Sequence, residues 1–166
     1  MTPSTPKKTP TPTTKEMAAV SDKDYADVVV APHEGKVVVV NFWASYCLPC
    51  LKEIPNLQAL ATEHAKDVDV VFVSTDPPSG AAHALAQLAR RKIELASFVV
   101  ENDDPEPFIA LINAQGKASG KESSWGGEMP YTVVYSRDGS VFQKMPGAHS
   151  KEEFNAAIAA AVAQKK

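Results

Sequence analysis

The chain has only two cysteines, no long apolar run and no excess of positive charge, and these shortages exclude several classes of protein. It lacks a run of about 18 apolar residues, so we expect no segment to span a bilayer, and its first residues lack the apolar stretch of a signal peptide. A net charge of −3 without a basic stripe argues against a nucleic-acid-binding protein. The chain does contain 44% hydrophobic residues in a length of 166, which is enough for one domain with its own core.

The first sixteen residues, MTPSTPKKTPTPTTKE, are mostly Thr and Pro and offer little that a core could bury. This composition predicts a disordered linker over residues 1–16 and a single domain over residues 17–166. Such a linker would suit a tether to the membrane whose anchor or signal has been trimmed. An ordinary disordered terminus is the alternative that the same composition allows.

Strands and helices alternate along the rest of the chain. The apolar run GKVVVVNFWA predicts a central strand, and helical spacing from Pro49 to about Lys66 predicts a helix that Pro55 should kink. Strands are then predicted for VDVVFVST and LASFVV, and helices for AAHALAQLARRK and for PEPFIALINAQG, the last ended by Gly116. Further on, YTVVYS and VFQKM flank RDG as a hairpin, and a final helix follows Ser150 as its N-cap.

This order of elements predicts an α/β fold with a central mixed sheet and helices on both of its faces. Reactive groups in such sheets usually lie at the carboxyl ends of the strands. Both cysteines, Cys47 and Cys50, fall at such an end, directly after the first central strand.

The C-x-x-C pair in NFWASYCLPCLKEIP admits three interpretations. A zinc site would have to recruit two of the four histidines, which have no paired spacing: His33, His64, His83 and His149. A purely structural disulfide would close a very short loop and gain little stability from loop closure. A redox dithiol is favoured, because the N–H groups and dipole at the start of a helix stabilise a thiolate on Cys47, the predicted nucleophile. Cys50, one turn into the helix, is then the resolving thiol.

The stretch NFWASYCLPC, the helix proline Pro55 and EMPYTVVYSRDG together resemble the thioredoxin fold. The closer resemblance is to periplasmic or membrane-tethered thiol-disulfide oxidoreductases of the TlpA/ResA/CcmG type, and it extends from about residue 20 onward. It implies a cis-proline at Pro130, and an extra strand and helix in the eighty residues between Cys50 and Pro130.

The resemblance also bears on the proton chemistry. Asn41 stands where thioredoxins have a buried acid, and it cannot take a proton from the resolving thiol. Glu53 follows Cys50 by three residues on the same helical face and matches a glutamate of ResA-like proteins, so it is the candidate base. From spacing alone, Glu53 could equally be a solvated carboxylate beside Lys52.

Four further residues are candidates for substrate binding: Trp43, Tyr46, Met129 and Pro130. The backbone of Met129, before Pro130, could pair with an extended substrate segment as an added strand, although a trans proline that only begins a strand is the alternative. Trp43 and Tyr46 flank the cysteines and could form an apolar docking surface, or they could belong to the core. Trp125 in the nearby loop could line a groove or anchor that loop.

We therefore predict a monomeric thiol-disulfide oxidoreductase that works outside the cytoplasm and reduces or exchanges disulfides in client proteins, without a cofactor, a metal or nucleic acid. The resemblance implies clients such as apocytochrome c or copper-site assembly proteins, and an upstream electron donor such as a membrane thiol-reducing protein. The alternative is a Cu(I)-binding metallochaperone on the same fold, in which both thiols hold the metal. Related copper carriers have a longer cysteine spacing and a distal histidine, and His149 is the only histidine in the last part of this chain.

Overall fold

The structure, a computed structural model, describes residues 17–101, 103–115 and 125–164. The strands are β1 (Ala18–Val20), β2 (Val37–Trp43), β3 (Val68–Ser74), β4 (Ser97–Val100), β5 (Tyr131–Tyr135) and β6 (Val141–Pro146). The helices are α1 (Leu48–Glu63), α2 (Ala81–Arg90), α3 (Glu106–Ala114) and α4 (Lys151–Ala163), with a π-helical turn at Ala26–Val30 and 3₁₀ turns at Ala31–His33 and Pro78–Gly80. The predicted linker over residues 1–16 lies outside the described residues.

The six strands form one sheet in the order β1-β4-β3-β2-β5-β6. The first four strands in this order are parallel, β5 pairs antiparallel with β2, and β6 pairs antiparallel with β5. Strand β2 has a hydrogen-bonded neighbour on each side, and all seven of its residues are buried. The prediction of a central strand in a mixed sheet is therefore confirmed. Strand β1 and the π-helical turn, which lie ahead of the first apolar run, were not predicted from the sequence.

Alternate residues of β2 face opposite sides of the sheet and belong to two separate cores. Val37, Val39 and Trp43 pack with α1, α2 and α4 on one face. The other face carries Val38, Val40 and Phe42 beneath α3 and the π-helical turn. Helices thus cover both faces, as predicted. Asn41 has the parity of Val39 and Trp43, so its amide points toward the face that carries α1.

Helix α1 begins directly after the cysteine nucleophile predicted from the sequence. Cys47 is its N-cap, and the Cys47 Sγ accepts a hydrogen bond from the Cys50 backbone N at 3.3 Å. The helix continues through Pro55 and ends at Glu63, three residues before the predicted end. His64 closes it because its carbonyl accepts from the backbone N of both Asp67 and Val68, which forms the turn into β3.

The predicted hairpin and the last helix are both present. The RDG turn joins β5 to β6, and Gly139 has a φ of +85°, a conformation that favours glycine. Ser150 caps α4 in a capping box: its hydroxyl accepts from the Glu153 backbone N at 3.1 Å, and the Glu153 carboxylate accepts from the Ser150 backbone N. The predicted end of α3 at Gly116 lies outside the described residues.

We expect Ser150→Ala to lower the free energy of unfolding by about 1 kcal/mol, because it removes an N-cap acceptor from the first turn of α4. Urea denaturation of the oxidised protein, followed by circular dichroism, measures this loss. Ser79→Ala is the matched control, since Ser79 is exposed and makes no side-chain hydrogen bond to the described residues. Equal losses in the two variants would show that the capping box does not stabilise the helix.

Candidate active site

The two cysteines lie where β2 passes into α1 and are joined by a disulfide. Cys50 is fully buried, whereas Cys47 is partly exposed. The residues on either side of Cys47 are the exposed large hydrophobic residues of the described chain: Tyr46 is 71% exposed and Leu48 is 69% exposed. An incoming thiol or disulfide can therefore reach Cys47 but not Cys50.

Glu53 lies one helical turn beyond Cys50 and is also buried, with only 3% of its surface exposed. Its Oε1 accepts a hydrogen bond from Asn41 Nδ2 at 2.9 Å, and its Oε2 accepts from the His149 backbone N at 3.2 Å. The alternative of a solvated carboxylate on the helix surface is therefore wrong. Glu53 shares the inward face of α1 with Cys50, as the three-residue spacing predicted.

The electrostatics of Glu53 follow from this enclosure. Burial raises the pKa of the Glu53 carboxyl, because the charged form loses its hydration. The hydrogen bonds from the His149 backbone N and from Asn41, and the charge of His149, act in the opposite direction and limit the rise of this pKa. A carboxyl whose pKa is moved toward neutrality is better suited to exchange protons at physiological pH than an ordinary surface glutamate.

Asn41 contacts more than Glu53. Its Nδ2 also donates to the Thr132 Oγ1 at 3.0 Å, which joins β2 to β5 across the sheet. Its Oδ1 is buried and accepts no hydrogen bond from any described residue. The Asn41 amide therefore has an unused hydrogen-bond acceptor, Oδ1, among the described residues, while its Nδ2 is bonded to the Glu53 carboxyl.

A second buried carboxyl, Asp76, holds the other side of the cysteine turn and was not found from the sequence. It accepts from the Ser45 backbone N at 2.9 Å, from Ser45 Oγ at 2.7 Å and from Ser74 Oγ at 2.5 Å. These bonds tie the turn before Cys47 to the end of β3. The signal that could have found Asp76 is its place just after a buried parallel strand, where the sheet brings strand ends together.

The predicted proline, Pro130, follows Met129, which lines the same cleft as Tyr46 beside the nucleophile candidate Cys47. The Met129–Pro130 bond is cis, as predicted. Thr75 Oγ1 donates to the Met129 Sδ at 2.8 Å. A cleft of about 440 Å³ runs beside this contact, lined by Tyr46, Thr75, Pro77, Asp103, Pro105, Trp125, Gly127 and Met129.

Neither tryptophan of the described chain lies exposed on a docking surface. Trp43 is fully buried in the core beneath α1, so the prediction that it binds substrate at the surface is wrong. The reason is that β2 extends through Trp43 and is covered on both faces, so that a residue at this position is enclosed whichever way it points. Trp125 is 2% exposed, stacks on Tyr131 at 4.8 Å between ring centroids and donates through Nε1 to the Glu128 carbonyl at 2.8 Å. It anchors the loop that ends at Met129 while its edge lines the cleft.

The histidines do not gather around the cysteines. His33 contacts Asp69, and His64 contacts Asn155. Both ring nitrogens of His149 are engaged, so binding a metal through this ring would break one of its contacts. Within the described ranges, no group of three or more His, Cys, Asp or Glu side chains could hold a metal ion. In the same residues, no helix is both long and apolar enough to cross a bilayer.

The site therefore combines a C-x-x-C disulfide at a helix start, a cis-proline and a six-stranded mixed sheet. The Redoxin family model matches residues 7–163. The chain belongs to the Redoxin family. A Bacillus cereus protein named thiol-disulfide oxidoreductase ResA is 27% identical over 135 residues, which cover 81% of this chain and 68% of the relative.

Solved structures share the fold. A thiol:disulfide interchange protein of the thioredoxin family from Chlorobium tepidum matches with a TM-score of 0.64 at 22% identity, covering 80% of this chain and 83% of that chain. A secreted Mycobacterium tuberculosis disulfide oxidoreductase homologous to DsbE of E. coli matches with a TM-score of 0.55 at 22% identity, covering 78% and 85%. This Redoxin member is thus a thioredoxin-fold thiol-disulfide oxidoreductase with Cys47–Cys50 as its C-x-x-C pair.

The raised pKa of Glu53 predicts how the free energy of unfolding depends on pH. The native state holds the Glu53 proton more tightly than the unfolded chain does, so this group stabilises the fold most at pH values below its unfolded pKa of about 4.3. The contribution is lost as the pH rises through the higher folded-state pKa. The free energy of unfolding of the wild type, minus that of Glu53→Gln, should therefore fall as the pH rises from about 4 toward neutrality.

Urea denaturation of the oxidised proteins over a pH series measures this difference. Glu152→Gln is the control, because it removes an exposed carboxylate from α4. A trend for Glu53→Gln no larger than the trend for Glu152→Gln would contradict the assigned pKa direction.

Proposed function

We propose that this oxidoreductase reduces or exchanges disulfides in extracytoplasmic client proteins, with Cys47 as nucleophile, Cys50 as resolving thiol and Glu53 as the base for Cys50. One observation carries the proposal. Cys47 is reachable from solvent, whereas Cys50 is fully buried with a buried carboxyl one helical turn beyond it. This asymmetry separates the thiol that meets the client from the thiol that must lose its proton inside the protein.

The reaction begins with both cysteines reduced. The Cys47 thiolate attacks one sulfur of the client disulfide, which forms a mixed disulfide and releases the other client sulfur as a thiolate. The Cys50 thiol then gives its proton to Glu53 and attacks the Cys47 sulfur. The second client thiolate leaves, both client thiolates take protons from solvent, and the client has gained two electrons at the expense of Cys47 and Cys50.

The surface around Cys47 suits docking of a polypeptide. Tyr46 and Leu48 present apolar surface on both sides of the nucleophile. The cleft beside Tyr46 leads to Met129, whose backbone we assign as the edge that pairs with an extended client segment. Tyr46, Met129 and Pro130 thus remain our candidate substrate-binding residues, without Trp43.

The identity of the client and the location follow from resemblance. We propose clients such as apocytochrome c or copper-site assembly proteins, an upstream donor such as a membrane thiol-reducing protein, and a monomer held outside the cytoplasm by an N-terminal tether. The similarity to a mycobacterial disulfide oxidoreductase that is described as secreted supports an extracytoplasmic location.

A redox titration of the Cys47/Cys50 couple against glutathione or dithiothreitol tests the direction of electron flow. We favour reduction of clients, since the pair keeps the proline of reducing thioredoxins between its cysteines, although Leu48 replaces their glycine. A potential near the value of about −270 mV found for thioredoxin supports this direction. A potential near the value of about −120 mV found for DsbA would instead indicate an oxidant of clients.

The assigned cysteine roles predict which variant traps a client. Cys50→Ser should accumulate a mixed disulfide through Cys47, because the resolving thiol is missing, and Cys47→Ser should not. Brief iodoacetamide treatment of the reduced wild type should label Cys47 first, since Cys50 is fully buried. Dominant labelling of Cys50 on peptide mapping would reverse the two roles.

The assigned base predicts a defect in resolution only. Glu53→Gln should slow release of the client from the mixed disulfide by about tenfold or more, because the buried Cys50 thiol loses its proton acceptor. Formation of the mixed disulfide at Cys47 should change much less. Stopped-flow measurement of both steps over a pH series, with Glu152→Gln as the control, separates them. Equal release rates in the wild type and Glu53→Gln would leave Cys50 without an identified base.

A further inference from the structure

His149 lies between β6 and α4 and is the residue through which that loop reaches the buried carboxyl. Its backbone N–H donates to Glu53 Oε2 at 3.2 Å. Its side chain is also held, with Nδ1 at 2.7 Å from Glu153 Oε2 and Nε2 at 3.0 Å from the Pro146 carbonyl oxygen. The ring of Phe154 stands edge-on to it at 5.6 Å between centroids. His149 thus connects the Glu53 carboxyl with two fixed points that anchor its ring, the Glu153 carboxylate and the Pro146 carbonyl oxygen.

Both fixed points accept hydrogen bonds and neither can donate one. A carbonyl oxygen has no proton, and the hydrogen bond from His149 lowers the pKa of Glu153, which keeps this group a carboxylate. A neutral imidazole carries a single N–H and can satisfy only one of the two partners. The imidazolium carries two N–H groups and satisfies both. The geometry of the ring therefore matches its doubly protonated form.

The charge of that form lies close to Glu53. His149 and Glu53 line the same cleft of about 440 Å³, together with Leu48, Pro49, Lys52, Asn56 and Ala148. The Glu53 carboxyl therefore borders a space in which the exposed residues of α1, such as Lys52, also lie.

Other charged groups around the His149 loop come from the two helices that pack against it. Lys52 on α1 lines the cleft from its exposed side. Glu153 on α4 binds the ring, and Lys151 on α4 is paired with Glu63 on α1 at 2.7 Å. His149 is therefore the positive group that has its own hydrogen bond to the buried carboxyl.

We propose that protonated His149 is a positioning residue. Its ring, bound to both Glu153 and Pro146, fixes the loop so that the His149 backbone N–H stays hydrogen-bonded to Glu53. The charge of Glu53 is thereby coupled to the protonation of His149 and so to the solution pH. When the ring loses a proton, one of its two anchors is lost and so is the positive charge beside Glu53. Both changes disfavour the carboxylate form of Glu53. The consequence for resolution by Cys50 rests on the proposed role of Glu53 as base, whereas the coupling of the two charges does not.

The test is a pH titration of Glu53 by ¹³C NMR of its side-chain carboxyl carbon, in oxidised protein so that no thiol titrates. His149→Gln should raise the titration midpoint of Glu53, because the neighbouring charge and the two anchors are lost. Glu153→Gln should raise it by a smaller amount, because it weakens one anchor of the ring, leaves the backbone N–H in place and removes a negative charge, which acts in the opposite direction. His149→Arg should restore part of the difference because it restores the positive charge.

Lys52→Gln is the matched control, since it removes an exposed positive charge from the same cleft without breaking a hydrogen bond to either carboxyl. Its effect should be less than half that of His149→Gln, because solvent screens an exposed charge. An unchanged midpoint in both His149→Gln and Glu153→Gln would overturn the proposal, and so would an equal shift in Lys52→Gln.

The same variants separate this inference from the proposed function. If the Glu53 midpoint follows His149 but Glu53→Gln releases clients at the wild-type rate, the coupling is present and the base role fails. If His149→Gln leaves the Glu53 midpoint unchanged while Glu53→Gln releases clients slowly, the base role stands and the coupling fails. When both hold, the pH profile of mixed-disulfide release in His149→Gln should move in the direction of the Glu53 midpoint.

Discussion

The buried carboxyl of Glu53 is the constraint on which the architecture of the active site depends. A carboxylate taken out of water is costly unless N–H groups replace its hydration. Two distant parts of the chain supply them: Asn41 in the middle of β2, and the His149 backbone in the loop before α4. The helix that carries the cysteines, the central strand and the last loop are thus joined at one group.

A second carboxyl organises the opposite side of the cysteine turn, and it does so differently. Asp76 accepts one backbone N–H and two serine hydroxyls, all from segments that adjoin the ends of β2 and β3. These partners fix the path of the chain before Cys47, and Asp76 does not line the cleft on the Glu53 side. Glu53 lines that cleft, so it can exchange its proton with solvent, whereas Asp76 has a geometric role. Cys47, the proposed nucleophile, thus follows a turn held by Asp76 and begins the helix that carries Glu53, the proposed base.

The sequence could predict what depends on local patterns and not what depends on distant packing. Local patterns were enough to predict the apolar run of β2, the RDG hairpin, the Ser150 cap and the position of Cys47 at the start of a helix. The burial of Glu53 was left open, although its spacing from Cys50 places both on one helical face and Cys50 is buried. His149 is 96 positions from Glu53 and contacts it through its backbone, so no pattern of side chains could reveal it. For Trp43 the docking surface and the core were both left open, because the sequence does not show how far helices cover the end of the strand that carries it.

The residue at position 41 shows why the acid of this site belongs on the helix and not on the strand. Asn41 Nδ2 lies 2.9 Å from the Glu53 carboxyl, so an acid in its place would put two carboxyl groups within hydrogen-bonding distance. Two such groups cannot both ionise readily, and one would hold a proton tightly when Cys50 needs an acceptor. An amide avoids this conflict. It donates through Nδ2 to the carboxylate, and its buried Oδ1, which has no partner among the described residues, can accept from the acid after the amide turns over. Asn41 and Glu53 therefore form a hydrogen-bonded pair, in which the strand supplies a neutral partner for either protonation state and the helix supplies the carboxyl that we propose as the proton acceptor.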